Sequence, residues 1–141
     1  MDVVILCGGK GTRLSEETIS KPKPMVEIGG KPILWHIMKT YSSFGVKRFI
    51  LALGHKSEYI KQYFYNYKFT DADISIKLDP KENVSFLNHS DEKDWEILFI
   101  NTGEETLKGG RIKRLEKYIQ SDPFFLTYGD GICDININKL L

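Results

Sequence analysis

The segment Leu6-Cys7-Gly8-Gly9-Lys10-Gly11-Thr12-Arg13-Leu14 carries the clearest chemistry in this chain. Its three glycines let the backbone come close to a ligand and take positive φ, so that successive N–H groups can converge on a phosphate. Further on lies Lys21-Pro22-Lys23-Pro24-Met25. Each proline biases the lysine before it towards extended backbone, so Lys21 and Lys23 reach out from a stiff segment. Between positions 10 and 31, five basic residues (Lys10, Arg13, Lys21, Lys23, Lys31) stand against three acidic ones (Glu16, Glu17, Glu27), a local excess of +2. A glycine loop beside such an excess suits a polyphosphate. Two better-known glycine loops do not fit. Gly11 is followed by Thr12 and Arg13 rather than the Lys-Ser/Thr of an ATP-type P-loop. The GxGxxG fingerprint fits Gly9 and Gly11 but meets Leu14 at its third position, which argues against an NAD-binding oxidoreductase. A second candidate is Asp130, between Gly129 and Gly131. An aspartate at the end of a buried strand can project into a crevice and hold Mg²⁺ together with a phosphate, although Asp-Gly is also an ordinary turn pair.

These residues need a scaffold, and the hydrophobic pattern supplies one. Val3 to Leu6 and Arg48 to Leu53 read as strands buried on both faces, ending at Gly8 and Gly54. Met25 to Ile28 reads as a short strand before the Gly29-Gly30 turn. Pro32 is expected to open a helix with Ile33, Ile37, Tyr41 and Phe44 on its apolar face and a stop at Gly45. Ser57 is expected to cap a second helix, with Ile60, Phe64 and Tyr67 along one face. Ile74, Ile76 and Leu78 alternate as in a half-buried strand, and Val84 to Leu87 and Trp95 to Ile100 read as strands around a polar insert. Gly109-Gly110 opens a helix with Ile112, Leu115 and Ile119 inward and Arg111, Lys113, Arg114 and Lys117 outward. Phe124 to Tyr128 is the last strand. This order predicts an α/β fold with a mostly parallel sheet, whose ligands bind outside the carboxyl ends of the strands. Gly8 and Gly129 are therefore expected to face one crevice. Asn136 to Leu141 reads as the opening of another helix, and Ile135, Ile137, Leu140 and Leu141 find nothing after them to pack with, so the chain is expected to stop inside a domain.

Gly-Gly-x-Gly-Thr-Arg-Leu followed by Lys-Pro-Lys-Pro-Met resembles the sugar-1-phosphate nucleotidylyltransferases. Ser15 to Ile19, Gly29 to Lys39, Thr106 with Gly109-Gly110-Arg111, and Thr127 to Gly131 are most similar to the branch that couples CTP to glucose 1-phosphate. The resemblance covers essentially the whole chain but only the first half or so of a family member. It implies a Rossmann-like three-layer α/β/α fold, residues 1–141 forming the nucleotide-binding portion of a single nucleotidyltransferase domain, incomplete at its C-terminus. It also implies a Mg²⁺-dependent reaction in which CTP and glucose 1-phosphate give CDP-glucose and pyrophosphate, towards dideoxysugars of bacterial surface polysaccharide. On that pattern Leu6, Gly8, Gly9, Gly11 and Thr12 cradle the nucleotide. Arg13 holds the departing phosphates, Lys23 neutralises charge at the α-phosphate, Thr106 and Arg111 are nucleotide-site residues, and Asp130 binds the metal. The family's second metal-binding aspartate and most of its sugar-phosphate pocket come from sequence beyond Leu141. An alternative is a non-catalytic nucleotide-binding module or an inactive fragment.

Composition narrows the setting. Twenty Lys plus Arg against nineteen Asp plus Glu leave a net charge of +1, which makes no case for a nucleic-acid or membrane-surface binder. No apolar run reaches the roughly 20 residues of a membrane span, and the opening lacks a signal-peptide core, so a cytoplasmic protein is expected, as a homo-oligomer. Cys7 and Cys133 lie outside any CxxC spacing, which argues against a disulfide scaffold. His36, His55 and His89 share no metal-like spacing and read as bystanders.

Overall fold

Val3, Val4 and Ile5, and the run Phe49 to Leu53, are completely buried. Runs apolar at every position need cover on both faces, which a parallel sheet between two helical layers provides. The computed structural model describes residues 1–10, 20–79, 81 and 83–140. Its elements are, in order, β1 (Asp2–Leu6), β2 (Glu27–Ile28), β3 (Lys31–Pro32), α1 (Ile33–Ser43), β4 (Arg48–Leu53), α2 (Ser57–Tyr65), α3 (Tyr67–Asp71), β5 (Ile74–Lys77), β6 (Asn83–Phe86), β7 (Glu96–Asn101), α4 (Lys108–Leu115) and β8 (Phe125–Tyr128). The central sheet runs β7-β4-β1-β8 with every pairing parallel. Alternation along β1 splits its side chains between two cores. Val3 and Ile5 pack with Phe49, Leu51 and the α1 residues Leu34, Ile37 and Met38. Val4 packs with Ile50, Ala52 and Leu115 of α4. This is the three-layer α/β/α, Rossmann-like arrangement. Among the described residues no helix is long and apolar enough to cross a membrane.

The structure departs from the sequence reading in several places. Met25 closes a 3-10 turn (Lys23–Met25), and only Glu27–Ile28 is strand, paired antiparallel with Lys31–Pro32 through the Gly29-Gly30 turn. Pro32 caps α1 rather than starting it, and the buried face is Leu34, Ile37, Met38 and Tyr41. Ser57 is the first residue of α2 and not its cap, which is Lys56 in the left-handed conformation (φ 52°). β5 pairs with β6 in a separate ribbon, on one face of which Ile74, Val84 and Phe86 are half-buried as the alternation predicts, whereas Ile76 on that face is exposed and Leu78 lies beyond the strand. Ile137 is buried in the larger core from a 3-10 turn, whereas Ile135 and Leu140 stay exposed. Arg111 is the largest departure: it points inward and is 5% exposed.

Candidate functional site

β1 and β8 are neighbours, and the Gly129 amide donates to the Leu6 carbonyl (3.0 Å), so the two glycine loops emerge side by side at the carboxyl edge of the sheet. Between them and the loop joining β7 to α4 lies a cavity of about 340 Å³. It is lined by Leu6, Gly8, Gly9, Lys23, Thr106, Arg111 and Asp130, every predicted site residue that falls among the described ones. Gly11, Thr12 and Arg13 lie outside the described residues. The expectation of one shared crevice therefore holds.

Each side chain is placed by its neighbours. Pro24 and Met25 are buried, which anchors the 3-10 turn and turns Lys23 to the cavity. The Lys23 ammonium stands 2.9 Å from the Asp130 carboxylate, with side-chain exposures of 29% and 35%. Lys21 goes elsewhere: it lies 3.8 Å from Glu27 and lines a different cavity beside α2. Beneath the Asp130 loop, Cys7 is buried, and burial, reinforced by the Asp130 charge, pushes its thiol far above the ordinary range. A Cβ on Gly129 would lie 2.7 Å from Cys7 Sγ, so the β8 loop can pass this close only as glycine.

The opposite wall is held by α4. Arg111 Nη1 donates to the Leu53 carbonyl (3.2 Å) and the Thr102 hydroxyl (2.8 Å), and Nη2 to the carbonyls of Gly8 and Glu104 (both 3.0 Å). Burial, with the Arg114 charge, pulls its pKa down from the ordinary arginine value. Arg114 donates to the Thr102 carbonyl and to the Thr106 hydroxyl (2.9 Å), which orients Thr106 at the cavity.

Lys10 of the glycine loop also lines the cavity, with Glu105 and Lys108, which the sequence did not single out. Lys10 pairs with Glu105 across the rim, and that hydrogen bond and charge hold the Glu105 carboxyl below its ordinary range. Lys108 Nζ lies 5.0 Å from the Tyr128 ring centroid. Glu105 and Lys108 are near Thr106 in sequence, but nothing local marks them as facing β1. His36 and His55 do not line the cavity: His36 bonds the Ile28 carbonyl (2.8 Å), and His55 lies 3.9 Å from Glu104, which does line it.

The arrangement presents backbone amides, the ammonium groups of Lys10, Lys23 and Lys108 and the carboxylates of Glu104, Glu105 and Asp130 to a shared space. That set can bind a phosphorylated anion and neutralise it. Among the described residues no three metal-ligating side chains cluster. Asp130 offers one carboxylate whose present partner is the Lys23 ammonium, so a Mg²⁺ ion held there would displace that partner and take its other ligands from phosphate and water.

Residues 2–138 match the nucleotidyl transferase family model. The chain is 51% identical over 142 residues to a glucose-1-phosphate cytidylyltransferase of Salmonella typhimurium, covering all of this chain and 54% of the relative. It is 49% identical over 141 residues to a probable glucose-1-phosphate cytidylyltransferase of Bacillus subtilis, again covering 54% of it. The chain thus spans about half the length of these relatives. The crystal structure of HddC from Yersinia pseudotuberculosis complexed with GMP-PN superposes with a TM-score of 0.68 at 33% identity, over 99% of this chain and 52% of that one. The inositol-1-phosphate CTP transferase of T. maritima shares the fold at a TM-score of 0.62 and 19% identity, over 92% of this chain and 43% of that one.

Proposed function

Because this chain belongs to the nucleotidyl transferase family, we propose that it carries the nucleotide-binding half of a glucose-1-phosphate cytidylyltransferase. The observation that carries the reading is the Lys23–Asp130 pair, 2.9 Å apart, at the meeting point of the β1 and β8 glycine loops. In the reaction a phosphate oxygen of glucose 1-phosphate attacks the α-phosphorus of CTP, and pyrophosphate leaves. The attacking oxygen is already anionic, so no general base is required, and the obstacle is repulsion between anions.

Leu6, Gly8, Gly9, Gly11 and Thr12 are assigned to binding the nucleotide, with backbone amides of the glycine loop as donors. Thr106, oriented by Arg114, and Arg111 belong to the opposite wall. Lys23 neutralises the charge that grows at the α-phosphate, and Arg13 forks onto the departing β- and γ-phosphates. Asp130 would hold Mg²⁺, which supplies charge neutralisation at phosphate oxygens. The product is a sugar nucleotide of the kind consumed in polysaccharide synthesis, made in the cytoplasm.

A thermal melt of the chain with Mg²⁺ and, in turn, CTP, UTP, dTTP, GTP and NAD tests the reading. CTP at about 100 times its Kd should stabilise the fold by about 2.7 kcal/mol. A CTP-selective, Mg²⁺-dependent rise in Tm is expected. A melt unmoved by CTP would overturn it.

A further inference from the structure

Four side chains at the cavity carry positive charge, Lys10, Lys23, Lys108 and Arg111, and three carry negative charge, Glu104, Glu105 and Asp130. An incoming polyphosphate therefore meets walls whose charges nearly balance. Each cation is already occupied. Arg111 is buried on neutral acceptors, Lys23 stands 2.9 Å from Asp130, and Lys108 lies 5.0 Å from the Tyr128 ring centroid. Lys10 pairs with Glu105.

The Lys10–Glu105 pair differs from the others in its span. Lys10 stands in the loop that leaves β1 and Glu105 in the loop between β7 and α4, so the pair joins opposite walls of the cavity. Its partners are 95 residues apart in the chain. The hydrogen bond and charge of Glu105, with the Glu104 charge added, hold the Lys10 ammonium above the ordinary lysine range, so both carboxylates act on this one cation. The two side chains nevertheless keep 51% and 81% of their surface in solvent. Water screens such a pair, and opening it lowers a binding constant by at most about fivefold. A phosphate oxygen offers the ammonium a charge-assisted hydrogen bond of the same kind. To that same anion Glu105, next to Glu104 on its wall, offers only repulsion.

We infer that Lys10 is a further phosphate-binding residue held in reserve by Glu105: its ammonium leaves that carboxylate for the polyphosphate of an incoming nucleotide, and Glu105 sets the affinity by competing for it. The exchange uses side chains on the rim and leaves Lys23 and Asp130 to the reacting centre. This deepens the proposed function and rests on it for the identity of the nucleotide.

The test is a double-mutant cycle on the whole chain, with Mg²⁺–CTP and inorganic tripolyphosphate titrated in a calorimeter. Both side chains are exposed, so neither substitution disturbs packing. Glu105→Gln should bind both anions about threefold more tightly, because no ion pair has to open. Lys10→Met should weaken binding about threefold in the wild-type chain and about tenfold in the Glu105→Gln background, where the lysine has no carboxylate to give up. Unchanged or weaker binding by Glu105→Gln would overturn the inference. So would an equal cost of Lys10→Met in the two backgrounds, which would mean that the pair stays shut over the ligand. If tripolyphosphate binds with this pattern and CTP does not, the nucleotide reading falls and the role of Lys10 stands. If none of the four chains binds either anion, the role of Lys10 falls too.

Discussion

At the N-terminal ends of the sheet strands, the Asp2 carboxylate accepts the amides of Gln120 (2.6 Å) and Ser121 (3.2 Å) and pairs with Arg48 (3.0 Å), which also reaches Glu96 (3.0 Å). At the carboxyl ends of the same strands, Lys23 has Asp130 at 2.9 Å, and both side chains keep about a third of their surface in solvent. Side-chain exposure is 4% for Asp2 and 14% for Arg48. The first arrangement is closed around Asp2: its carboxylate is met by two amides and a guanidinium, so a ligand has nothing to offer it. The second is open, because its two charges can separate to meet an anion and a cation from outside. Arg111 belongs by position to the open end and by bonding to the closed kind. Charge close to a ligand site is thus of two sorts, one shaping the backbone and the other free to answer the ligand.

That contrast can be broken by substitution, with stability as the common scale. Gly8→Ala should have the largest effect, about 3 kcal/mol in a urea melt, because the new methyl displaces a buried, hydrogen-bonded guanidinium. A loss under about 1 kcal/mol would show that the Arg111 side chain yields easily. Arg48→Met should cost about 2 kcal/mol, since Asp2 keeps its two amides but loses its buried cation.

Asp2→Asn comes next, at about 1 kcal/mol at neutral pH, and it carries a pH signature. Burial alone would raise the Asp2 carboxyl, but the Gln120 amide, Arg48 and the Ser121 amide outweigh it and hold it below the ordinary range. A depressed folded pKa contributes stability above the unfolded value and loses it as pH falls through the folded one. The variant should therefore show a flatter acid limb than wild type in stability measured from neutral pH down through the carboxylate range. Parallel limbs would remove Asp2 from acid unfolding. Smallest on this scale is Lys23→Met, within about 0.5 kcal/mol, because a partly exposed pair contributes little to folding. Its effect should appear instead in binding, as about a tenfold weaker affinity for Mg²⁺–CTP, about what one charged hydrogen bond contributes. A large loss of stability with unchanged binding would reverse the assignment of open and closed ends.

Much of this was legible along the chain. The apolar runs that end at Gly8, Gly54 and Gly129 are local signals, and parallel strands necessarily bring such ends to one edge. The Lys-Pro-Lys-Pro segment announced two reaching lysines, but only packing of Pro24 and Met25 decided that Lys23 and not Lys21 meets Asp130. The alternation of β5 was legible, but not that the strand pairs only with β6 in a ribbon apart from the central sheet, because strand partners are chosen in space and not along the chain. Arg111 misled because a basic residue amid Lys113, Arg114 and Lys117 looks solvated, and its acceptors at Gly8 and Leu53 lie 103 and 58 residues away. Asp2 gave no signal at all, for its partners are 118 and 119 residues distant.

By itself the sequence determined the α/β class, the strands that make the sheet, the glycine loops at their ends and the phosphate chemistry those loops invite. All of these depend on neighbours within a few positions, through backbone sterics and hydrophobic period. The tertiary structure alone decided which charges are closed and which stay open. A charge's role depends on the acceptors that surround it in space, and folding draws those acceptors from strands the sequence keeps far apart.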